Sequence, residues 1–259
     1  MTTTGAIEAV TSLDLGRNVF GSCLLEYCSI DLRVVGPQRG PVAGGGQSQR
    51  ARDSYVELIP NLPGQFEINP ILQKHLFTLP GDVEVEETIF VPTAGPASTV
   101  PAVCVRVSLH NRSDEARRLR VYAFSELAGD TGPDISVGFD PQLGALVAAN
   151  DSHPDWVRIV AFDRPPSAYE SMQDRSPVYE PYEKRPLGNE AGASGDVAGA
   201  LQLDLDLPPH GTDAFSWLLC FSHQGKASAQ DSLHHARDWE RALQQSLDAC
   251  SATLCISRV

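Results

Sequence analysis

The chain has 259 residues, of which 42% are hydrophobic and 20% are charged, as in an ordinary soluble globular protein. Its 33 acidic and 20 basic residues give a formal net charge of −13, which argues against a nucleic-acid partner, because phosphate binding requires clustered Lys and Arg. No apolar run reaches the roughly 18 residues of a membrane span, and the N-terminal residues lack the basic start and apolar centre of a signal peptide, so we expect a cytoplasmic protein without a membrane span.

The six cysteines are predicted to be reduced and to pack as small apolar side chains. No two of them stand at Cys-x-x-Cys spacing, and no histidine lies at ligand spacing from any of them. The sequence therefore predicts neither a metal site nor another cofactor. The six positions are Cys23, Cys28, Cys104, Cys220, Cys250 and Cys255.

The N-terminal part of the chain contains short strand-like segments interrupted by a loop. Residues 18–27 and 30–35 are predicted as strands, and strand character resumes at residues 55–59. Between them, residues 36–52 are rich in Gly, Pro and Gln. This composition favours an exposed, mobile loop, and the return of strand character after it argues against a domain boundary.

Residues 83–127 carry the clearest β pattern. They contain three strand-like runs, residues 83–91, 103–110 and 118–124, and apolar and polar residues alternate in the second run. Alternation with a period of two is typical of a half-buried strand. Residues 111–115 have turn chemistry, because Asn, Ser and Asp side chains hydrogen-bond to their own backbone. The three runs are therefore predicted to form a β-meander whose second and third strands make a hairpin.

Further strands follow along the chain. Residues 135–139, 145–149 and 156–162 are predicted strands separated by turns. Residues 201–207 and 215–221 alternate again on either side of a Pro-Pro-His-Gly turn. These last two strands are predicted to form a closing β-hairpin.

The sequence period then changes to that of a helix. Apolar residues recur every three or four positions through residues 233–250, which predicts an amphipathic helix. Ser228 and Asp231 stand at capping-box spacing and are predicted to begin this helix. We therefore expect a sandwich domain at residues 1–224 and a helical linker segment at residues 225–259.

Several of these segments resemble a known family. The run ETIFVP followed by VRVSLHNRSDEARRLRVYAFSEL, then LVAAN at 146–150 and RIVAF at 158–162, are similar in the same order to the β-supersandwich of inverting disaccharide phosphorylases, glycoside hydrolase family 94. That family comprises enzymes of the cellobiose and chitobiose phosphorylase type, and the domain also occurs in the C-terminal part of cyclic β-1,2-glucan synthases. The resemblance implies an all-β fold, a large antiparallel β-sandwich of the galactose-mutarotase-like kind, followed by a C-terminal amphipathic helix.

The resemblance also implies which functional parts to expect. In the family the sandwich is not catalytic, and the general acid and the phosphate site lie in an (α/α)6 barrel. The sequence ends where that barrel would begin. No catalytic residue is therefore predicted here, and a catalytic barrel module or a homodimer partner is expected.

One irregular region is predicted to bind sugar. Sugars bind to aromatic faces together with planar polar groups, and residues 163–199 offer both. The resemblance to the family's S-Y-x-x-D-R element carries over to three positions, although the aromatic-Leu-Gly ending of that element is replaced here. The predicted binding residues for a β-linked gluco-oligosaccharide are Trp156, Tyr169, Asp174, Arg175 and Tyr179.

The predicted function is that of a non-catalytic, carbohydrate-associated sandwich of a disaccharide phosphorylase or β-glucan-processing enzyme, with roles in domain packing, dimer contact and sugar binding. Two alternatives stay open. One is an independent mutarotase-like enzyme acting on aldoses, which requires His75, His110 or His153 to converge with a glutamate in a cleft. The other is a scaffold protein that has lost sugar binding.

Overall fold

The computed structural model of the protein describes residues 10–11, 23–25, 28–35, 64–68, 71–79, 81–127, 135–173, 186–195 and 197–256. Within these ranges the chain is mainly antiparallel β-sheet, and two helices follow the last strand. The predicted fold class, a large antiparallel sandwich followed by a C-terminal helix, is confirmed. Neither described helix is long and apolar enough to cross a lipid bilayer.

The strands are short to medium in length and are numbered in chain order. They are β1 Val10–Thr11, β2 Cys23–Leu25, β3 Cys28–Val35, β4 Gly64–Ile68, β5 Leu72–Leu79, β6 Val83–Phe90, β7 Ala102–Asn111, β8 Arg117–Glu126, β9 Ile135–Asp140, β10 Ala145–Asn150, β11 Val157–Phe162, β12 Ala168–Met172, β13 Gly192–Ser194, β14 Ala198–Leu207 and β15 Thr212–Ser222. The helices are α1 Lys226–Ala236 and α2 Trp239–Ile256, and a short 3-10 helix spans Pro96–Ser98.

Two sheets form the body of the described structure. The larger has nine strands in the order β13-β9-β10-β11-β15-β7-β6-β5-β4, and the smaller has four in the order β12-β14-β8-β3. β1 and β2 pair separately. The predicted strands at 30–35, 83–91, 135–139, 145–149 and 156–162 are confirmed. The predicted loop at 36–52 and the predicted strand at 55–59 lie outside the described residues.

The main core lies between the two sheets. Every second residue of a strand points to the same face, so the apolar residues of the alternating runs meet in the middle. The sheets approach each other closely at Gly199, where a Cβ atom would lie 2.6 Å from Leu146 Cδ1. Core residues of the larger sheet include Val85, Val107 and Phe215, and those of the smaller sheet include Val121 and Leu203.

The predicted hairpin between the second and third runs of the central segment is wrong. β6 and β7 pair as predicted, with Val85 opposite Leu109. β8, however, pairs with β14 and β3 in the smaller sheet. β7 and β8 each alternate between buried and more exposed residues over part of their length, and a sandwich satisfies this pattern equally well by placing the two strands in opposite layers. The turn at residues 111–115 therefore connects the two layers.

The predicted closing hairpin is wrong for the same reason. β14 pairs with β8 and β12, whereas β15 pairs with β7 and β11. The chain thus crosses between the layers here as well, at Pro208–Gly211. Alternation shows that a strand has one buried face, but it does not specify which strand lies beside it.

Asn111 joins these two crossings. Its side-chain amide nitrogen donates hydrogen bonds to the carbonyl oxygens of Glu115 (2.7 Å) and Pro208 (2.9 Å), with Leu207 O at 3.4 Å. Its side-chain oxygen accepts hydrogen bonds from the backbone N–H (3.1 Å) and the hydroxyl (2.7 Å) of Ser113. Asn111 is fully buried. The buried amide therefore links the backbone of both crossings through its own hydrogen bonds at the end of the sandwich.

The C-terminal helix is two helices, and its predicted start is wrong. α1 begins after Gly225, which has φ of 89° and contributes no side-chain cap, so Ser228 is not a capping residue. The helix ends at Ala236, and α2 starts after Asp238, whose Oδ1 atom accepts a 3.4 Å hydrogen bond from the backbone N–H of Arg241. The apolar period runs through this break unchanged, so the sequence pattern did not reveal it.

The two helices cover one part of the outer face of the larger sheet. α1 packs on β15, β11, β7 and the short 3-10 helix. Beneath it lies a second, smaller core that includes Phe90, Ile159, Leu218, Cys220 and Leu233. We call this area the helix-covered part. Across β4 to β7 and β15, no helix among the described residues covers this face.

Replacing Asn111 by Ala is expected to destabilise the protein by about 2–4 kcal/mol, because the hydrogen bonds of a fully buried amide to both crossings are lost together. Ser113→Ala removes only one hydroxyl of the same cluster and should cost about 1 kcal/mol or less. Urea unfolding followed by circular dichroism measures both values. Equal, small effects of the two substitutions would show that the amide does not join the crossings.

Asp140 is predicted to tie α1 to the β9–β10 turn in a pH-dependent way. The 2.7 Å hydrogen bond from Lys226 Nζ to its Oδ2 atom lowers the pKa of Asp140. The contribution is therefore present above the unfolded-state pKa of about 4 and is lost as pH falls through the folded-state value.

Asp140→Asn keeps an Oδ1 acceptor for the turn N–H groups of Gln142 and Leu143 and removes the ion pair with Lys226. Because the pair is partly exposed, we expect a loss of about 0.5–1 kcal/mol at pH 7. The difference from the wild type in urea unfolding should shrink as the pH is lowered below about 4. A difference that stays constant with pH would contradict the assignment to this carboxylate.

Candidate functional site

Trp156 lies at the end of the turn between β10 and β11. Its ring is half-buried and stacks on His153, with ring centroids 4.6 Å apart. The backbone of the turn is closed by Asn150, whose Oδ1 atom accepts hydrogen bonds from the N–H groups of Ser152 and His153, both at 2.9 Å. Trp156 thus has a defined orientation at the surface and one aromatic neighbour.

Tyr169 lies on β12, in the smaller sheet. Its ring stacks on Phe139 of β9 at 3.7 Å between centroids and packs against the main core. Its backbone is held by Asn189, which donates to Tyr169 O and accepts from Tyr169 N. No described residue hydrogen-bonds to the Tyr169 hydroxyl. The ring therefore packs between the sheets and the hydroxyl is available.

The structure does not bring the two described members of the predicted sugar site together. Trp156 adjoins the end of the larger sheet where Asn150 pairs with Ile135. Tyr169 stacks on Phe139, four residues further along β9, which is about 13 Å at the rise of a β-strand. The other three predicted residues, Asp174, Arg175 and Tyr179, lie outside the described residues. The predicted site stays a prediction.

A polar network next to Tyr169 fixes β12 and the segment that follows it. Glu170 Oε2 accepts a 2.9 Å hydrogen bond from Gly188 N, and Gln202 Oε1 accepts one of 2.9 Å from Leu187 N. Asp204 forms a two-point ion pair with Arg120, at 2.8 and 3.3 Å, and this hydrogen bonding raises the pKa of Arg120. These polar groups are used within the protein itself and hold its own backbone.

The open part of the larger sheet forms a groove of about 930 Å³. Two cross-strand rows of outward-facing side chains make its floor. One row is Gln65, Leu76, Glu86, Ser108 and Ala214, and the other is Thr78, Glu84, His110 and Thr212. We call this surface the sheet groove. Its volume lies in the range of small-molecule sites.

Ion pairs balance the charges of the sheet groove. Lys74 Nζ lies 3.1 Å from Glu86 Oε1, and Arg112 Nη2 lies 2.8 Å from Glu84 Oε2. His110 Nδ1 lies 3.9 Å from the same Glu84 oxygen. Neither carboxylate is therefore set apart as a proton donor. The groove has features of a binding surface and lacks those of a general acid–base pair.

Arg106 marks the boundary between the sheet groove and the helix-covered part. Its guanidinium donates hydrogen bonds to Asp163 Oδ2 (3.0 Å) and Ser216 Oγ (3.2 Å). It also lies over the ring of Trp239, 4.9 Å from the centroid, at the first residue of α2. A cation on an aromatic face adds stabilisation of order 1 kcal/mol. Arg106 thus connects the start of α2 to the sheet.

The three histidines required by the mutarotase-like alternative do not converge. His75 is buried between the layers, with its Nδ1 atom 3.8 Å from the buried Glu87. His110 lies on the opposite, outer face of the same sheet, and His153 lies in the β10–β11 turn. The three histidines therefore do not meet in one cleft, but His110 lies beside Glu84 in the sheet groove, so this alternative stays open.

The described residues also offer no activated nucleophile or metal cluster. Burial raises the pKa of the Cys104 thiol to about 12 and also raises that of Cys220. Both thiols lie under the helix-covered part and are therefore protonated and unreactive. No group of three or more His, Cys, Asp or Glu residues in the described part of the chain is arranged to hold a metal ion.

No family model matches the sequence, and no curated protein matches it. Solved structures do resemble it. A bacterial glucoamylase complexed with acarbose matches with a TM-score of 0.58 and 9% identity over 89% of this chain and 32% of that chain. A putative kojibiose phosphorylase from the human microbiome matches with a TM-score of 0.48 and 7% identity over 94% of this chain and 34% of that chain.

The likeness to the glucoamylase structure shows the fold, because the identity is too low to show more. The chain spans about one third of the length of both structures. The class of protein defined by the sheets, the crossings and the helix-covered part is a two-layered antiparallel β-supersandwich with a helical extension.

The sheet groove was not among the predicted sites. Its residues occupy the polar positions of β5, β6 and β7, which look like ordinary solvent-facing residues in the sequence. One signal was present. Leu76 occupies a position between Lys74 and Thr78 on the outward side of β5, and it is 43% exposed. An apolar residue in the polar register of a strand indicates a surface that is not simply solvated.

Substitutions of Tyr169 distinguish a packing role of its ring from direct contact with sugar. Tyr169→Ala removes the stacked ring from Phe139 and should destabilise the protein by about 2 kcal/mol, below the 3–5 kcal/mol of a fully buried aromatic residue. Tyr169→Phe retains the ring and should change stability by less than about 0.5 kcal/mol. Thermal unfolding measures both effects. If Tyr169→Phe weakens binding of a gluco-oligosaccharide at least tenfold, the hydroxyl contacts sugar and its role is not packing alone.

Proposed function

We propose that this chain is a non-catalytic, carbohydrate-associated β-sandwich of a disaccharide phosphorylase or β-glucan-processing enzyme. Its main task is to pack against a further module, a catalytic (α/α)6 barrel or a second copy of the chain. Support comes from the resemblance of residues 83–127 to family 94. It also comes from the fold that the chain shares with part of a glucoamylase structure. The division into a sandwich at residues 1–224 and a helical linker segment at residues 225–259 belongs to this proposal.

The packing role is best supported by α2, because apolar side chains on this helix are only half-buried. The helix has 18 residues, a length of about 27 Å. Its first half is held by Trp239 against Arg106 and by Ser246, whose hydroxyl accepts a 3.1 Å hydrogen bond from Thr93 N. Leu243 packs on the smaller core but is only half-buried, and Leu247 is half-buried as well. A partner placed on this side would complete their burial.

The sandwich itself is proposed to be non-catalytic. The carboxylates of the sheet groove are ion-paired, the buried thiols are protonated, and the histidines point to separate places. Phosphorolysis with inversion requires a carboxylic general acid and a bound phosphate, and the proposal assigns both to the partner module. The second part of the proposal is that the sandwich contacts sugar. If it binds no sugar, the scaffold alternative is the one that applies.

The packing role can be tested by substituting the half-covered face of α2. Leu247→Lys should reduce self-association in light scattering and lower the binding of a hydrophobic dye, because it places a charge where a partner would bury a methyl-rich side chain. Its melting temperature should change by no more than a few degrees, since Leu247 is half-buried in the free chain.

The matched control is Gln244→Lys, on an exposed position of the same helix. It adds the same charge and should leave association unchanged. A wild-type chain that is strictly monomeric, binds no dye and does not respond to Leu247→Lys would overturn the packing role.

A further inference from the structure

We propose that the sheet groove binds a neutral, hydroxyl-rich ligand, namely a gluco-oligosaccharide, across β4 to β7 and β15. This inference rests on the proposed carbohydrate association of the domain. It assigns the contact to a surface distinct from the predicted site around Trp156 and Tyr169. The ligand class follows from the side chains that the groove presents, from their charge balance and from the position of the groove within the sheet.

The groove presents several hydrogen-bonding groups that the protein does not use itself. Within the described part of the chain, no hydrogen bond occupies the hydroxyls of Thr78, Ser108 and Thr212 or the Nε2 atom of His110. Glu86 uses its Oε1 atom for Lys74 and retains Oε2 as an acceptor. Such a mixture of donors and acceptors fits sugar hydroxyls, each of which both donates and accepts.

The charge balance favours a neutral ligand. Each groove carboxylate already has a cation beside it, Lys74 for Glu86 and Arg112 for Glu84. The third acidic residue of the lining, Asp213, is paired with Arg164 at 3.3 Å. An anionic ligand would meet the carboxylates, and a cationic ligand would have to displace a cation. A polyhydroxylated molecule requires neither.

The position of the groove argues against a peptide. Peptides add to the free edge of a sheet through backbone hydrogen bonds, or lay an apolar helix in an apolar groove. β5, β6, β7 and β15 each have a paired strand on both sides, so their backbone groups are used within the sheet, and β4 at the edge contributes only Gln65 to the lining. The outward-facing rows combine the apolar Leu76 and Ala214 with polar side chains, so they do not form an apolar groove for a helix.

The dimensions favour an oligosaccharide over a single sugar. The row from Gln65 to Ala214 crosses five strands, or about 19 Å at the spacing of neighbouring strands. The exposed Leu76 lies within this row, next to Glu86. The apolar C–H face of one sugar ring can pack on Leu76 while the hydroxyls of that ring reach the Glu86 carboxylate.

Isothermal titration calorimetry of the full chain with cellobiose, cellotriose, sophorose and short β-1,2-glucans tests the proposal. Ser108→Leu fills the floor of the groove, and Glu86→Ala removes the acceptor without adding bulk. Each should weaken binding at least tenfold. Asp206→Ala, an exposed carboxylate in an ion pair on the smaller sheet, is the matched control and should stay within twofold. If Ser108→Leu does not fold, Glu86→Ala alone decides the result.

The outcomes separate this inference from the proposed function. Binding that is lost in Trp156→Ala and kept in both groove variants would overturn the groove and leave the carbohydrate association intact. Absence of binding to all four probes would overturn the groove as a saccharide site. The packing role is tested separately, by Leu247→Lys. Because the ligand is neutral, raising NaCl from 0.1 to 0.5 M should change the dissociation constant less than about twofold; a steep salt dependence would contradict the ligand class.

Discussion

The order of the longest strands depends on a hydrogen-bonded link between two of the places where the chain passes from one sheet to the other, and Asn111 makes that link. A strand that leaves a sheet exposes backbone carbonyls, and these must find donors when they are buried. One amide side chain supplies them for Glu115 and Pro208 together. The crossing after β7 and the crossing before β15 are thereby fixed relative to each other. This link also fixes the order of the four longest strands, β7, β8, β14 and β15.

This arrangement divides the outer face of the larger sheet into two parts. One part is apolar and is covered by α1 and the short 3-10 helix. The other is polar and open, and forms the sheet groove. Arg106 stands on the boundary, bound to Asp163 and lying over Trp239. A single sheet therefore carries a surface on which the helices pack and, beside it, the groove that we propose as a ligand site, with Arg106 between the two.

The sequence located only part of the candidate chemistry. Aromatic and polar residues close together in the chain suggested the region of Trp156 and Tyr169, but the fold places Trp156 at one end of the larger sheet and Tyr169 on the smaller sheet. The sheet groove combines residues from five strands that are up to about 150 positions apart in sequence. Each of them alone is an unremarkable solvent-facing residue, and only the pairing of β4 to β7 with β15 brings them together.

The sequence by itself determined the class of secondary structure, because alternation with a period of two requires a half-buried strand and a period near 3.6 requires a helix on a surface. It also determined the turn at Asn111 and Ser113 through their local hydrogen-bonding chemistry. The tertiary structure decided which strands are neighbours, since a strand with one buried face fits either layer of a sandwich. It decided the break between α1 and α2 as well, because the apolar period continues across Asp238 and only packing against the sheet and the 3-10 helix divides the two helices.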